Sequence, residues 1–320
     1  MTDSGSPSPS MPWWDGARTA APVSAPARPA VPPAYQPPVV EGPPPGSSPL
    51  SLGLGRGSRE RELVREVATP VGGTRRVVVL SIKGGVGKTT TVAVTGSLLA
   101  GLRRDKVVAL DASSDWGTLA ARLSVVPKQS VRELANGRHT VSERGVLAQL
   151  TAAPSGLLVV GSDPQTVVSG ALTEEEYLQT LRLLEYVGNL IITDVGAGMQ
   201  QPFLPAALAA CDQLVVASAA TFDAAQSAGM ALDWLAARGH AALVERGIVV
   251  MTNLYPARRR RAGYIRDLKA DLARRSRSVH EVPFDAALQP GGRILLRKLS
   301  APVRQAYLEV AADVVTGLTR

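Results

Sequence analysis

Residues 81–91 read SIKGGVGKTTT and directly follow the apolar run VVVL of residues 77–80. The apolar run predicts a buried strand, and the glycines between Lys83 and Lys88 let the backbone turn tightly with its N–H groups pointing inward. The residues that follow predict a helix, whose N-terminus carries a partial positive charge. A strand, a glycine-rich loop and a helix in this order are typical of a phosphate-binding loop.

The residue types in this loop indicate how it binds phosphate. Lys88 can reach the β- and γ-phosphates of a nucleotide, and the Thr89 hydroxyl can bind Mg²⁺. The common pattern is Gly, four residues, then Gly-Lys-Ser/Thr, and this chain departs from it by carrying Lys83 early in the loop. The predicted nucleotide-binding residues of the loop are Gly84, Gly85, Val86, Gly87, Lys88, Thr89 and Thr90.

Two other predicted strands end in carboxylates. The run LIIT at residues 190–193 ends in Asp194, and a carboxylate at such a position can hold Mg²⁺ directly or through water. The strand predicted over 106–111 ends in Asp111, with Asp115 shortly after it. Either strand-end Asp alone could be an ordinary strand-end or helix-capping residue. With the phosphate-binding loop upstream, both are predicted to belong to the nucleotide site.

From residue 73 onward, short apolar segments alternate with segments of helical periodicity. Most of the apolar segments are continuous runs of Val, Ile and Leu, which is typical of parallel strands buried on both faces. The alternation predicts an α/β fold with a doubly wound, mostly parallel sheet, whose ligands lie beyond the carboxyl ends of the strands. The predicted strands are 76–82, 106–111, 157–161, 189–194, 213–218, 247–252 and 279–283.

Three predicted helices can be recognised from a capping box or from apolar residues at helical spacing. One is predicted to begin at Thr173, where Glu176 completes a capping box. The second spans about 223–237, with a stripe at helical spacing that we expect in the core: Met230, Ala231, Trp234 and Leu235. The third spans about 302–318 and places six residues on one apolar face: Val303, Tyr307, Val310, Ala311, Val314 and Leu318.

Residues 1–72 have a different composition from the rest of the chain. The first 50 residues hold 14 of the 24 prolines, and such a segment cannot bury enough apolar surface to offset its ordering entropy. We therefore predict a disordered proline-rich tail and linker over 1–72, in which 51–72 is a charged connection, and a single domain over 73–320. The segment PPAYQPP at 32–38 suggests a docking site for a protein partner, and a solvated spacer is the alternative.

Composition indicates the cellular compartment of the protein. The chain has 320 residues, a net charge of +8 and one cysteine, Cys211. A single cysteine rules out an internal disulfide and suits the reducing cytoplasm. No signal peptide is recognisable, and no apolar run approaches the ~20 residues that cross a bilayer. The sequence predicts a cytoplasmic protein with no integral membrane segment.

A basic segment accounts for most of the net charge. Nine basic and two acidic residues lie between Arg258 and Arg277. Such a patch can bind DNA backbones without reading sequence, and the contacts expected for this are Arg258, Arg259, Arg260 and Arg261. A docking surface for an acidic protein and a solvated helix face remain alternatives.

The early lysine makes the loop resemble the deviant Walker A motif of the ParA/MinD family, and the resemblance covers about residues 73–320. It implies a P-loop NTPase fold, ATP and Mg²⁺ as cofactors, and an ATP-dependent homodimer. Lys83 would reach across the dimer to the partner's phosphates, and Lys88 would bind them within its own subunit. The implied catalytic residues are Lys83, Lys88, Asp111 and Asp115, the Mg²⁺ ligands are Thr89 and Asp194, and the adenine contacts are Asn253 and Pro283.

The chain departs from its family in the segment after Asp111. ParA and MinD relatives carry Asp-x-Asp there, and the second Asp positions the attacking water, whereas this chain has Ser113. A serine cannot orient water or accept its proton as a carboxylate does, although Asp115 lies two residues on. We therefore expect a slow ATPase. The alternative is a scaffold that binds ATP with little hydrolysis. A metabolic ligase of the same loop class is disfavoured because no Cys-His machinery or spare length is present.

A narrower resemblance comes from the proline-rich leader together with GTL at 117–119, TDVGAG at 193–198 and LDWL at 232–235. These segments resemble actinobacterial MinD-like proteins, some of which accompany type VII secretion systems. The resemblance implies a switch ATPase for spatial organisation, partitioning or secretion-associated positioning of a partner.

Overall fold

A computed structural model describes residue 54 and residues 57–113, 117–137, 141–163, 170–256 and 259–319. The described chain folds around an eight-stranded sheet with the order β3-β4-β2-β5-β1-β6-β7-β8. The strands are β1 (Arg75–Ser81), β2 (Val107–Ala112), β3 (Thr151–Ala152), β4 (Leu158–Val160), β5 (Leu190–Ala197), β6 (Gln213–Ala219), β7 (Ile248–Thr252) and β8 (Ser278–Val282).

The sheet is parallel except at one edge. All neighbouring pairs are parallel apart from β3, which runs antiparallel to β4. The predicted α/β class and mostly parallel sheet are confirmed, and each of the seven predicted strands has a counterpart. The two-residue strand β3 was not predicted, since so short a segment carries no periodicity. Parallel pairing brings the carboxyl ends of β1, β2, β5 and β7 to the same edge of the sheet.

Helices cover both faces of the sheet. They are α1 (Ser58–Val67), α2 (Lys88–Leu102), α3 (Leu119–Leu123), α4 (Val131–Asn136), α5 (Glu143–Leu147), α6 (Glu174–Leu184), α7 (Leu204–Ala210), α8 (Phe222–Leu235), α9 (Ala241–Glu245), α10 (Arg259–Ala273) and α11 (Ala301–Thr319). On one face, α1, α2 and α11 share a core with the sheet. On the other, α4, α6, α7 and α8 form the second core layer. None of the described helices is long and apolar enough to cross a membrane.

Helix α1 lies within the segment predicted to be a charged connection, so the prediction for 51–72 is corrected there. Leu63 and Val67, four residues apart on one face of α1, are buried, and the helix packs against α11. Arg103, only 1% exposed, donates to the carbonyls of Val67 (2.7 Å) and Thr69 (2.8 Å). The apolar face of α1 and these hydrogen bonds attach residues 58–69 to the domain.

The other helix predictions have mixed outcomes. Thr173 caps α6 through the Glu176 N–H (3.2 Å), as predicted, and the predicted apolar face of α11 is buried. In α8, Ala231 and Leu235 are buried, but Met230 is 55% exposed, so its assignment to the core is wrong. The reason is that Met230 lies on the outer side of the stripe, where α8 faces solvent. The proline-rich residues 1–50 lie outside the described chain.

Candidate functional site

The loop between β1 and α2 has the backbone shape that a phosphate-binding loop needs. Gly85 and Gly87 adopt φ angles of 75° and 88°, which residues other than glycine rarely adopt. A Cβ atom on Gly87 would also lie 2.9 Å from the Thr252 side chain at the end of β7. Helix α2 begins at Lys88, so its first N–H groups lie beside the loop. The sequence therefore folds into a cradle for an anion.

Lys88 and Asp194 form a buried ion pair at the base of this cradle. The Lys88 Nζ donates to Asp194 Oδ1 at 2.6 Å, and Asp194, on β5, is fully buried. The second oxygen, Oδ2, is buried and has no hydrogen-bond partner within the described chain. A buried carboxylate oxygen without a partner, beside the lysine of the phosphate-binding loop, fits a Mg²⁺ ion, which takes one or two protein oxygens and completes its shell with phosphates and water. Asp194 and Thr89 can therefore hold the metal.

A cavity of about 550 Å³ opens above the loop and extends towards the ends of β7 and β8. Most of the predicted site residues line it: Lys83, Gly84, Gly85, Gly87, Lys88, Thr89, Thr90, Asn253 and Pro283. Val86 is an exception, since its side chain is buried in a small cluster with Ala217, Ala219 and Ala224. Val86 nonetheless shapes the loop, because its carbonyl accepts a hydrogen bond from the Thr252 hydroxyl at 2.9 Å.

Asp111, which is predicted to be catalytic, accepts hydrogen bonds from the loop that follows β2, and its catalytic role stays a prediction. Its Oδ1 accepts the Ser113 N–H at 3.2 Å, and its Oδ2 accepts the Leu119 N–H at 3.1 Å. Burial, and next the negative charge of Asp194, raise the pKa of Asp111 to about 6. Any side chain at Gly117 would collide with this carboxylate. The contacts of Asp111 are those of a residue that positions the loop.

The residue two positions after Asp111 affects the expected rate of ATP hydrolysis. Ser113 lines the cavity, and the resemblance to ParA and MinD proteins predicts a water-positioning Asp at this position. Asp115, the predicted substitute, lies outside the described residues. In the described part of the chain, no group of three or more Asp, Glu, His or Cys residues could hold a metal ion. Any metal in this site would therefore depend on few protein carboxylates.

Lys83 lies at the open side of the loop and already has a partner. Its Nζ donates to Asp223 Oδ2 at 2.5 Å, and the two side chains are 43% and 63% exposed. This hydrogen bond holds the pKa of Asp223 at about 2. Because exposed ion pairs contribute little to stability, Lys83 can leave Asp223 at small cost. The pairing with Asp223, in the first turn of α8, was not predicted from the sequence.

The far end of the cavity suits an adenine base. The Asn253 side chain donates through Nδ2 to Glu281 (2.9 Å) and to the Val282 carbonyl (3.1 Å). These bonds fix the amide so that its oxygen is left to accept, for instance from an exocyclic amino group. Pro283 and Phe284 border the same end of the cavity. The base-contacting role of Asn253 and Pro283 stays a prediction.

Other functional residues were not anticipated. Arg122, from α3, borders the cavity and donates to the Thr90 hydroxyl, although no motif surrounds it in the sequence. Thr252 was likewise missed, since a threonine ending a strand carries no signal of its own. The basic segment remains a prediction, because Arg258 lies outside the described chain and the structure describes no side chain for Arg259, Arg260 or Arg261.

Comparison with known proteins gives one group of related sequences and many related structures. No protein-family model matches the chain. The ESX-1 secretion-associated protein EspI of Mycobacterium tuberculosis is 28% identical over 266 residues, which is 82% of this chain and 40% of EspI. The chain thus spans less than half the length of this curated relative.

The similar solved structures share one fold. The MinC:MinD cell division complex of Aquifex aeolicus matches with a TM-score of 0.58 and 20% identity, covering 74% of this chain and 94% of that one. A ParA family ATPase of Chlorobium tepidum matches with a TM-score of 0.55 and 18% identity, covering 77% of this chain and 96% of that one. The described chain therefore has the fold of the MinD and ParA P-loop ATPases.

Proposed function

We propose that this chain, which has the MinD/ParA P-loop ATPase fold, binds ATP with Mg²⁺ and acts as a switch that dimerises in the ATP-bound form. The observation that carries the proposal is the buried Lys88–Asp194 pair beneath a cavity of about 550 Å³ that also holds Lys83. The experiment that tests it is titration with ATP and Mg²⁺, followed by measurement of molar mass with and without nucleotide. A chain that binds no nucleotide, or stays monomeric with ATP, contradicts the proposal.

In the proposed complex, the loop N–H groups and Lys88 bind the phosphates, and Asn253 and Pro283 contact the base. Thr89 and Asp194 hold Mg²⁺, which supplies positive charge to the phosphate oxygens. The unpartnered Oδ2 of Asp194 and the hydroxyl of Thr89 support this assignment. Lys83 leaves Asp223 and contributes its charge to the phosphates of the facing subunit, as a cation delivered in trans does in related phosphoryl transferases.

Lys83→Ala is expected to weaken ATP-dependent dimerisation and to leave ATP binding by each subunit largely intact. The reason is that Lys83 lies at the open side of the loop, whereas Lys88 lies at its base. Light scattering with ATP and Mg²⁺ measures the dimer, and calorimetry measures ATP affinity. Asp223→Ala, which removes the partner but keeps Lys83, is the matched control and should still dimerise. Equal dimer in Lys83→Ala and the unmodified protein would refute a trans role.

Hydrolysis is proposed to be slow. Ser113 borders the cavity, and Asp111 accepts hydrogen bonds from the backbone N–H groups of Ser113 and Leu119. The position expected to hold a water-positioning carboxylate therefore carries a hydroxyl, which cannot accept a proton as a carboxylate does. The alternative function, a scaffold that binds ATP with little hydrolysis, is favoured by the same observation.

Ser113→Asp is expected to raise kcat with little change in ATP affinity, because a water-positioning group acts mainly in the transition state. A tenfold gain corresponds to about 1.4 kcal/mol of barrier. Steady-state phosphate release measures the rate, and Ser113→Asn controls for side-chain size without charge. Asp115→Ala is assayed in parallel. If the unmodified protein is already fast and Asp115→Ala removes that activity, Asp115 has taken over the role and the slow-switch proposal is wrong.

The cargo of the switch is proposed to be secretion-associated. The similarity to EspI, whose name describes an ESX-1 secretion-associated protein, supports this over chromosome or plasmid partitioning. A proline-rich tail ahead of α1 would hold a protein partner, and the nucleotide-binding domain, which α1 joins, would lie in the cytoplasm. DNA binding through Arg258, Arg259, Arg260 and Arg261 stays a second proposal that the basic composition alone supports.

A further inference from the structure

Arg122 places a positive charge at the wall of the cavity proposed to bind nucleotide. It lies in α3, and its Nη1 donates to the Thr90 hydroxyl at 3.1 Å. Its other terminal nitrogen, Nη2, donates no hydrogen bond within the described residues. This end of the guanidinium therefore remains available to an acceptor that enters the cavity.

The surroundings of Arg122 do not explain its charge. A guanidinium that is partly withdrawn from water is costly unless a carboxylate or phosphate compensates it. Burial lowers the pKa of Arg122 from its ordinary value, although the negative charge of Asp194 acts in the opposite direction. No described carboxylate lies within ion-pair distance of Arg122, and the nearby Asp194 is already bonded to Lys88. The planar fork of arginine matches the oxygen geometry of a phosphate, which would satisfy both its charge and its free donors.

The backbone of Arg122 is fixed by the segment that follows the base-contacting Pro283. The Arg122 carbonyl accepts the Ile294 N–H at 2.8 Å, and an ideal Cβ on Gly291 would lie 3.6 Å from Arg122 Nη2. The side chain thus lies between this base-side segment and Thr90 of the phosphate-binding loop. Lys88, by contrast, belongs to the β- and γ-phosphate end.

We propose that Arg122 binds the nucleotide at the phosphate nearest the sugar, which mono-, di- and triphosphates share. The inference rests on the proposed nucleotide site and adds to it a phosphate-binding residue from outside the phosphate-binding loop. A contact to the shared phosphate has a distinctive consequence. Arg122 tightens binding of ADP and ATP equally, whereas a contact to the terminal phosphate would favour ATP alone.

The test is calorimetric titration of the full chain with Mg²⁺–ADP and with a non-hydrolysable Mg²⁺–ATP analogue. Arg122→Ala is expected to weaken both by the same factor, about 10- to 100-fold, as for loss of a charged hydrogen bond. Arg122→Lys should recover part of the affinity. Arg293→Ala, an exposed arginine on the same base-side segment, is the matched control and should bind like the unmodified chain.

Two results would overturn the proposal: unchanged affinity in Arg122→Ala, or a loss confined to the ATP analogue. Arg122→Gln removes the charge but keeps a polar side chain, although a shorter one, so it replaces Arg122→Ala if that variant does not fold. Melting curves without nucleotide verify folding in each variant. If the unmodified chain binds neither nucleotide, the proposed function fails. If the unmodified chain binds both nucleotides and Arg122→Ala binds them with the same affinity, only the role of Arg122 fails.

Discussion

Lys88→Ala is expected to abolish nucleotide binding, because the phosphates lose the cation at the base of their cradle. The same change should lower stability in the absence of nucleotide. Asp194 is fully buried, and removing its partner leaves an uncompensated carboxylate, which costs about 3–5 kcal/mol. Calorimetric titration with Mg²⁺–ATP measures the first effect, and urea denaturation measures the second.

A double variant separates these two effects. Lys88→Ala with Asp194→Asn removes both charges, so it should regain most of the lost stability while still failing to bind ATP. Lys298→Ala, an exposed lysine outside the cavity, should match the unmodified protein in both measurements. ATP binding of unchanged affinity in Lys88→Ala would show that the nucleotide site is assigned to the wrong place.

Arg103→Ala is expected to lower the free energy of unfolding by about 3–5 kcal/mol. The Arg103 guanidinium is buried, pairs with Asp105 at 2.6 Å and donates to the carbonyls of Val67 and Thr69. Its loss leaves Asp105 without its cation and two carbonyls without a donor. Urea denaturation measures the change, and hydrogen exchange over residues 58–69 should show α1 losing protection.

The adjacent residue supplies the control. Arg104 is exposed, so Arg104→Ala removes an identical side chain from the neighbouring position and should change stability by less than about 0.5 kcal/mol. If Arg103→Ala and Arg104→Ala were equally stable, the apolar face of α1 would be sufficient to hold the helix, and the hydrogen bonds of Arg103 would contribute nothing measurable.

The features of this fold that depend on residues close together in the sequence could be predicted from the sequence. The phosphate-binding loop was predictable because its glycines, Lys88 and Thr89 occupy adjacent positions. The buried parallel strands were predictable because a strand covered on both faces must be apolar throughout, as in residues 190–193. The start of α6 followed from Thr173 and Glu176, which cap the helix through contacts three residues apart.

Other features depended on partners distant in the sequence. The charged composition of α1 predicts a linker. Its two buried residues, Leu63 and Val67, form an apolar face that is covered only because α11 packs against it. Lys83 and Asp223 are 140 residues apart, and no local pattern connects them. Asp111 illustrates a further difficulty, because a carboxylate at the end of a strand can face either a ligand or the backbone of its own loop. The hydrogen bonds from the Ser113 and Leu119 N–H groups show that Asp111 contacts the backbone of its own loop.

Helix α11 links the nucleotide cavity to the N-terminal segment of the described chain. Tyr307 of this helix contributes to the cavity wall, and α1 packs against the same helix. The two sites therefore contact the same helix, and they are thermodynamically coupled if that helix has two arrangements that both ligands bias. If a protein bound to the preceding tail favours one position of α1, it alters nucleotide affinity by some factor, and the nucleotide alters the affinity for that protein by the same factor. Such reciprocity would let the tail both report and set the nucleotide state.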